Sequence, residues 1–188
     1  MTEASDYTDL PEGLPVPRDD GACDHLPGMR LPDLTFPATD GSEVRLPELE
    51  GRTVIYCYPM TGRPNEPLPE GWDEIPGARG CTPQSCSFRD HHTELRDLEA
   101  RVFGLSTQST EYQREAADRL HLPFPLLSDE ELRFARELEL PTFEAGGMTL
   151  IRRITLVIRD GWTEKVFYPV FPPDESAGEV ISWLIDSA

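Results

Sequence analysis

Short runs of consecutive apolar residues, rich in β-branched and aromatic side chains, recur along the chain and restrict the folds it can form. They occupy Thr53–Tyr58, Val102–Leu105 and Arg153–Ile158. A run with apolar side chains at almost every position forms a strand that is buried on both faces. Helical segments fill the gaps between these runs. The sequence therefore predicts an α/β fold in which helices cover both sides of a central sheet.

Turn signals add two hairpins to this prediction. An Asp-Gly pair favours the tight turn between adjacent antiparallel strands. One such pair joins Leu34–Pro37 to Val44–Leu46, and the other joins the third apolar run to Trp162–Tyr168. The first hairpin precedes the strands of the central sheet.

Helix signals occupy the intervals between the strands. Apolar residues at three- and four-residue spacing predict a helix through Phe88–Leu98 and a last one through Ala177–Leu184, after a Pro-Pro pair. The stretches Thr110–Gln113 and Ser128–Glu131 have the sequence of a capping box, in which a hydroxyl and an acidic or amide side chain satisfy the first N–H groups of a helix. Each is predicted to open a helix.

The chain is strongly acidic. Its 188 residues include 17 Lys and Arg against 35 Asp and Glu, which gives a formal net charge of −18. Such a surface repels phosphate backbones and anionic lipids. No apolar run reaches the roughly 18 residues of a membrane span, and the acidic N-terminus lacks the basic and apolar regions of a signal peptide. We therefore expect a cytoplasmic protein that binds neither nucleic acid nor membrane.

Residues 1–30 differ in composition from the rest of the chain. They hold seven acidic residues against two arginines, together with four prolines, and show no helix or strand period. This composition is typical of an arm that is extended on the surface or partly disordered. Residues 31–188 are predicted to form one domain that is long enough to bury its own core.

The segment that begins at Cys81 carries the clearest chemical signal. Its sequence, Cys-Thr-Pro-Gln-Ser-Cys, suits the first turn of a helix, where proline is tolerated and the Thr82 hydroxyl can cap a backbone N–H group. Unpaired N–H groups and the positive end of the helix dipole favour the thiolate at that point. Arg79, on a glycine-flanked stretch, can bring a guanidinium close to the sulfur. Cys81 is therefore the candidate nucleophile.

The spacing between Cys81 and Cys86 suggests a redox switch. Residues five apart in a regular α-helix have Cα atoms roughly 8–9 Å apart, whereas a disulfide requires them within about 7 Å. The two sulfurs can therefore join only if the first helical turn unwinds, and reduction would allow that turn to form again.

Less reactive roles remain open for the cysteines. Cys86 alone could be a core residue, and Cys57, inside an apolar strand, is expected in the core. Cys23 lies in the arm, where an exposed thiol could form mixed disulfides. A zinc site is a further alternative, with the ligand set Cys81, Cys86, His91 and His92. Against it, zinc loops favour shorter cysteine spacings, and adjacent histidines on a helix point about 100° apart.

Several segments together resemble the peroxiredoxins, in particular the peroxiredoxin Q or bacterioferritin-comigratory-protein branch. They are Val54–Pro59 (VIYCYP), Gly80–Asp90 (GCTPQSCSFRD), Phe124–Asp129 (FPLLSD) and Arg153–Ile158 followed by Asp-Gly. In that branch a strand ending in Tyr-Pro precedes Gly-Cys-Thr-x-x-x-Cys. The resemblance runs from about Leu31 to the C-terminus and implies a thioredoxin-like fold, with a central mixed sheet, and the reduction of peroxides.

The resemblance also implies a role for each matching residue. Cys81 would be the peroxidatic cysteine, whose thiolate attacks a peroxide and becomes a sulfenic acid, and Cys86 would be the resolving cysteine that forms an intramolecular disulfide with it. Arg153 would stabilise the thiolate and polarise the peroxide, and Pro59 would shield the sulfur from solvent. Thioredoxin or glutaredoxin would restore the thiols. No metal or organic cofactor is implied.

The chain departs from the family pattern at Ala78. At this position the family has a threonine whose hydroxyl contacts the thiolate and the peroxide. Either another hydroxyl, from Thr82 or Thr61, takes its place, or the site depends more on arginines such as Arg79 and Arg153. Thr82 and Arg79 are therefore candidate substrate-binding residues, in addition to the proline that shields the sulfur.

A second departure is the distance along the chain between Pro59 and Cys81, which is much longer than in the family. Residues 60–80 form an insertion whose four prolines limit its conformational freedom. Long connections inside a compact domain are usually functional or disordered. We predict an ordered flap over the thiol pocket, anchored by Trp72, with a solvent-exposed elaboration that has no role as the alternative.

The leading functional hypothesis is a thiol-dependent peroxidase that reduces hydrogen peroxide and organic hydroperoxides. One alternative is a thiol–disulfide exchanger, although the chain has no Cys-x-x-Cys motif. Another is a non-catalytic redox-sensing module that binds partners through the arm. Hydrogen peroxide is neutral, so the net charge does not exclude it, whereas anionic peroxynitrite is expected to be a poorer substrate. We expect a monomer, with a dimer as the alternative.

Overall fold

The computed structural model describes residues 7–188, which form a layered arrangement of strands and helices. The strands are β1 (Thr35–Pro37), β2 (Glu43–Arg45), β3 (Arg52–Cys57), β4 (Ala100–Ser106), β5 (Leu126–Ser128), β6 (Thr142–Ala145), β7 (Met148–Ile151), β8 (Ile154–Arg159) and β9 (Trp162–Phe167). The helices are α1 (Cys81–Asp90), α2 (His92–Asp97), α3 (Thr110–Arg119), α4 (Arg133–Glu137) and α5 (Ser176–Asp186). None of the helices within residues 7–188 is long and apolar enough to cross a membrane.

Strand β3 lies at the centre of a five-stranded sheet whose order is β5-β4-β3-β8-β9. It pairs parallel with β4 and antiparallel with β8, so the sheet is mixed. The three apolar runs of the sequence are β3, β4 and β8, each within one or two residues of its predicted ends. Both Asp-Gly hairpins are present, since β1 pairs with β2 and β8 with β9. The predicted α/β fold is confirmed.

Alternate side chains of β3 enter two separate cores, as expected for a strand covered on both faces. Ile55 and Cys57 face the core beneath the β1–β2 hairpin and α4, which confirms the expected burial of Cys57. Val54 and Tyr56 face the other core, where α1, α2 and α5 pack on the sheet and Phe88 of α1 is fully buried. Helix α1 is thereby fixed against the centre of the sheet.

The predicted helix through Phe88–Leu98 is divided into α1 and α2 at His91. This residue leaves helical geometry (φ −99°, ψ 9°), and its Nδ1 lies 2.9 Å from the Glu94 carboxylate, in the first turn of α2. Apolar spacing alone does not reveal such a break, because the same side chains remain on the buried face. The last predicted helix is confirmed as α5.

Both predicted capping boxes are wrong: the first is displaced by one residue, and the second lies before α4, whose N-cap is Leu132. Ser109 caps α3, since its hydroxyl accepts a hydrogen bond from the Tyr112 N–H group at 3.2 Å, and Thr110 is already the first helical residue. The Asp129 carboxylate accepts hydrogen bonds from the first N–H groups of α4 at 2.9 and 3.0 Å. Ser128 instead ends β5, and its hydroxyl donates to a loop carbonyl at 2.6 Å.

The N-terminal segment lies against the domain. Of the predicted arm, residues 1–6 are outside the described part of the chain, and residues 7–20 contain no helix or strand. Cys23 and Leu26 enter the core, with 5% and 0% of their surface exposed. Cys23 therefore does not present the exposed thiol that the sequence left open. A turn in which the Leu26 N–H group donates to the Cys23 carbonyl at 3.1 Å carries both side chains inward, and burial raises the pKa of the thiol to about 12.

A buried thiol in one core and a buried phenol in the other predict that the domain loses stability at alkaline pH. Burial raises the pKa of the Cys57 thiol above its ordinary 9.0 and that of the Tyr56 hydroxyl above its ordinary 10.0. Above about pH 9 the unfolded chain releases protons that the native state retains, so stability falls by roughly 1.4 kcal/mol per pH unit for each such group. We expect the urea midpoint to drop markedly between pH 8 and pH 10.5. Equal midpoints would contradict this description of the cores.

Candidate active site

Cys81 is the first residue of α1, and only 3% of its surface is exposed. Gly80 precedes it at the N-cap with φ +111°, a conformation that side chains rarely adopt. A methyl group at Gly80 would also overlap Pro173, in the turn before α5, and would lie 2.8 Å from a Leu10 methyl group. The glycine thus allows α1 to begin in close contact with its neighbours, with the sulfur at the positive end of the helix.

The Arg153 guanidinium lies beside this sulfur. Its Nη2 is 3.2 Å from Cys81 Sγ, 3.0 Å from the carbonyl oxygen of Ala78 and 3.3 Å from that of Arg79. Arg153 is 3% exposed and lies between β7 and β8, immediately before the strand that pairs with β3. At this distance the buried guanidinium brings a fixed positive charge and a hydrogen-bond donor to the sulfur.

Gln84 holds Arg153 in place, although it was not among the predicted site residues. Its Oε1 accepts a short hydrogen bond from Arg153 Nη1, and its Nε2 donates to the Ser176 hydroxyl at 3.2 Å. The side chain is fully buried. A polar residue one turn after Cys81, on a helix face that packs against the sheet, is the signal that could have identified it, because buried amides require partners.

Two tyrosines of the sheet form the floor beneath the first turn of α1. The Tyr56 hydroxyl donates to Ser85 Oγ at 3.0 Å, and its ring stacks on Phe88 with centroids 4.5 Å apart. The Tyr58 hydroxyl donates to Gln113 Oε1 at 2.7 Å. Burial raises the pKa of both phenols well above 10. The floor is therefore neutral at physiological pH, and Arg153 is left as the charge nearest the sulfur among these groups.

Cys86 lies in the same helix as Cys81, and all four cysteines carry thiols in this structure. Cys86 is partly buried. The pKa of the nearby Arg89 guanidinium is raised mainly by its hydrogen bond to Asp90 and to a smaller extent by Cys86. Because α1 is continuous from Cys81 to Asp90, the Cα separation of the cysteines is roughly 8–9 Å. This exceeds the separation that a disulfide spans.

The structure corrects two expectations about residues next to Cys81. Thr82 does not cap α1, since no side-chain hydrogen bond is present at that N-terminus and its buried hydroxyl has no hydrogen-bond partner. The Arg79 guanidinium bonds Asp73 at 2.9 and 3.1 Å and lies 5.2 Å from the Tyr7 ring centroid. Thr82 and Arg79 nevertheless line the small cavity beside Cys81.

The remaining predicted site residues, Pro59 and Thr61, lie farther from the Cys81 sulfur. Pro59 is buried just after β3, and Met60 rather than Pro59 lines the cavity at Cys81. The Thr61 N–H group donates to Gln108 at 3.1 Å, and its hydroxyl lies 3.4 Å from the same oxygen. The Thr61 side chain therefore contacts Gln108 and does not line the cavity at Cys81. At Ala78 the carbonyl oxygen, 3.7 Å from Cys81 Sγ, contacts the thiol.

The insertion of residues 60–80 packs over this site. Trp72 is 3% exposed and forms a separate apolar cluster with Ala78 and Leu150, against which Leu68 also packs. Its ring centroid lies 6.0 Å from that of Phe143, in β6. Leu68 and Trp72 both line the cavity beside Cys81. The insertion therefore covers the thiol, with Trp72 as its buried side chain.

The proposed zinc ligands have other contacts. Nδ1 of His91 faces Glu94, and the His92 ring lies 5.8 Å from the Phe124 ring. Within residues 7–188 no group of three or more histidine, cysteine, aspartate or glutamate side chains is arranged to hold a metal ion. Burial lowers the pKa of His92, so that its ring is neutral at physiological pH.

Known proteins share the sequence and architecture of this chain. The sequence pattern of the family described as Redoxin matches residues 26–181. The chloroplastic peroxiredoxin Q of Oryza sativa subsp. japonica is 32% identical over 159 residues, 84% of this chain and 65% of that protein. The chloroplastic peroxiredoxin Q of Sedum lineare is 32% identical over 159 residues, 84% of this chain and 76% of that protein. The chain thus spans slightly less than two thirds of the rice protein.

A solved structure shows the same arrangement. Peroxidoxin BcpB from Mycobacterium tuberculosis superposes with a TM-score of 0.69 at 25% identity, over 87% of this chain and 99% of that chain. A peroxiredoxin Q structure from Xanthomonas campestris superposes with a TM-score of 0.65 at 19% identity, over 92% of this chain and 98% of that one, which supports the fold alone.

Proposed function

Because this chain belongs to the peroxiredoxins, in their Q branch, we propose that it is a thiol-dependent peroxidase with Cys81 as its nucleophile. The observation that carries the proposal is the pairing of Cys81 Sγ with Arg153 Nη2 at 3.2 Å, at the N-terminus of α1. Hydrogen peroxide and organic hydroperoxides are the proposed substrates. Their weak O–O bond is what a thiolate cleaves, and neither requires a cationic surface for attraction.

In the first proposed step the Cys81 thiolate attacks one peroxide oxygen. An S–O bond forms, the O–O bond breaks, and the sulfur is oxidised to a sulfenic acid. The leaving oxygen departs as hydroxide or alkoxide and takes up a proton to become water or an alcohol. Arg153 stabilises the negative charge as it moves from sulfur to oxygen, and Gln84, which bonds the same guanidinium, keeps it oriented.

In the second proposed step the Cys86 thiol condenses with the sulfenic acid. An S–S bond forms, the S–O bond breaks, and water leaves. Both cysteines lie in the continuous helix α1, so the first turns must unwind before the sulfurs meet. The disulfide then marks an opened state of α1, and the helix forms again when the disulfide is reduced.

A dithiol protein is the proposed source of the two electrons that restore Cys81 and Cys86, and thioredoxin or glutaredoxin has that chemistry. Such a cycle belongs in a reducing compartment, and the cytoplasm is our proposed location. We propose a monomer, because both cysteines of the cycle lie on one helix and no second copy has to supply a thiol. Gel filtration that gives a dimer mass at micromolar concentration would contradict the monomer.

Thr82 is the residue we propose to contact the peroxide where the family has a threonine and this chain has Ala78. Thr82 lines the cavity beside Cys81, and its hydroxyl is buried and has no hydrogen-bond partner. A buried hydroxyl of this kind gains a partner when a polar substrate enters. We expect Thr82→Val to lower the rate constant for peroxide roughly ten- to hundredfold, with Thr82→Ser near the parent value. Equal rates for the two variants would remove Thr82 from this role.

The proposed function is tested by turnover. We expect the chain to oxidise NADPH in a peroxide-dependent manner when it is coupled to thioredoxin and thioredoxin reductase. Replacing thioredoxin with glutaredoxin, glutathione and glutathione reductase identifies the reductant. Absence of peroxide consumption with either system and with dithiothreitol would contradict the proposal. Reduction of insulin without peroxide consumption would instead support the thiol–disulfide exchanger.

A further inference from the structure

The cavity beside Cys81 is very small, and only 3% of the surface of Cys81 is exposed. Its volume is about 10 Å³, and its walls include Cys81, Thr82 and Tyr7. A cavity of roughly 10–15 Å³ holds a single water molecule at most, so a peroxide, with two oxygen atoms, does not fit. The thiol is therefore inaccessible to oxidant in this conformation, and part of the wall must move before the thiol can react.

A much larger depression lies on the other side of that wall. It has a volume of about 400 Å³ and opens to solvent beside the insertion. Four side chains line both the depression and the small cavity beside Cys81: Tyr7, Leu68, Trp72 and Arg79. Together they separate the bulk solvent from the sulfur.

Three of these four side chains are fixed by the domain. Trp72 is 3% exposed within its apolar cluster, and Leu68 packs against the same cluster. Arg79 is bonded twice to Asp73 at 2.9 and 3.1 Å. Tyr7 differs from the three, because it belongs to residues 7–20, which contain no helix or strand. It is the member of the wall that can leave without unfolding the domain.

Weak contacts hold Tyr7 in the closed position. Its hydroxyl donates to the Glu66 carbonyl oxygen, and the Arg79 guanidinium lies 5.2 Å from its ring centroid. The ring packs so closely on Gly62 that a Cβ there would lie 2.6 Å from it. Each of these contacts is individually weak and can break while the domain stays folded.

Leu10 extends the same segment to the start of α1. A Cβ on Gly80 would lie 2.8 Å from the Leu10 Cδ2 atom, so Leu10 packs directly on the residue before Cys81. Farther along, Pro17 lies 3.4 Å from the Cβ position of Gly77. Residues 7–17 thus pack along Gly62, Gly77 and Gly80 of the insertion and cover the N-terminus of α1. They also precede residues 26–181, which match the family.

We propose that Tyr7 and Leu10 form a gate over the Cys81 pocket that must open before an oxidant enters. The gate acts at the site of the proposed peroxidase, and its role as a control of peroxide entry rests on that proposed function. The open state is a minor population, so the reaction rate of Cys81 scales with the fraction of molecules that are open. Bulky hydroperoxides need a wider opening than hydrogen peroxide and depend more strongly on the gate.

Alkylation of Cys81 tests the gate without any peroxide. Iodoacetamide reacts with accessible thiolates, and trypsin cleavage after Arg79 and Arg89 releases a peptide whose fragment masses distinguish the two cysteines. We expect Tyr7→Ala to alkylate at Cys81 roughly tenfold faster than the parent, and Leu10→Ala to do so by a smaller factor. Tyr7→Phe, which keeps the ring, is expected to stay within about threefold of the parent. Glu12→Gln, an exposed change in the same segment, serves as the matched control.

Each outcome decides between the gate and its absence. Faster alkylation in Tyr7→Ala, together with a larger gain for cumene hydroperoxide than for hydrogen peroxide, supports the gate. An alkylation rate equal to that of Glu12→Gln in both alanine variants overturns it. Faster alkylation without peroxide consumption by any form of the protein would keep the gate and remove the proposed peroxidase function. Thermal unfolding of each variant confirms that the domain is intact before the rates are compared.

Discussion

Cys81→Ser is expected to lose peroxide turnover, by a factor of at least about 10³ in kcat/KM. A serine hydroxyl remains protonated beside Arg153 and cannot form a sulfenic acid, so the first step has no substitute in the site. The serine fits the space of the thiol, which is 3% exposed, so the fold is retained. Peroxide consumption in the thioredoxin-coupled assay measures the loss. Turnover that survives this substitution would exclude Cys81 as the nucleophile.

The matched comparison for this variant is Cys86→Ser. It keeps the nucleophile and removes the resolving thiol, so we expect it to reduce one equivalent of peroxide and then to stop in the thioredoxin-coupled assay. The stalled sulfenic acid is expected to oxidise further to the sulfinic acid when peroxide is in excess. Full turnover of Cys86→Ser would show that the resolving thiol lies elsewhere.

Arg153→Met is expected to lower the rate constant for the reaction of Cys81 with peroxide on the order of 10²–10³-fold. The substitution removes the hydrogen-bond donor 3.2 Å from the sulfur and the positive charge beside it, on which the proposed first step depends. Arg153→Lys is expected to recover only part of the rate. A single ammonium group cannot contact the sulfur, the Gln84 amide and the Ala78 carbonyl together, as the guanidinium does.

The adjacent arginine provides the control for this prediction. The Arg152 guanidinium lies 5.3 Å from the Phe143 ring centroid rather than at the sulfur. Arg152→Met makes the same change of charge one residue away and is expected to react within about threefold of the parent. Stopped-flow kinetics with hydrogen peroxide compare the two variants. Equal losses in both would indicate a general effect of charge and not a specific contact at Arg153.

The sequence was sufficient to predict the features that depend on local chemistry. Continuous apolar runs identified β3, β4 and β8, because such strands are stable only when both faces are covered. The run from Gly80 to Pro83 identified the start of α1, since glycine, a small polar residue and proline suit a helix N-terminus. Arg153 was identified through the family resemblance, and the structure places it at the sulfur.

Features that depend on tertiary packing could not be predicted in this way. Cys23 lies in a polar, proline-rich segment, and only its turn toward the core explains its burial. Gln84 gains its importance from Arg153, a residue 69 positions later in the chain. Tyr7 covers the thiol through contacts with Gly62 and Arg79, which no local pattern around residue 7 reveals. In each case the decisive partner is remote in sequence.

The most direct measurement is a peptide map of the reduced protein after one equivalent of hydrogen peroxide. Trypsin releases Gly80–Arg89, which contains both Cys81 and Cys86. We expect this peptide to lose two hydrogens and to resist alkylation until it is reduced, while Cys23 and Cys57, buried as neutral thiols, remain unoxidised. A peptide that keeps both thiols after the peroxide is consumed would contradict the account.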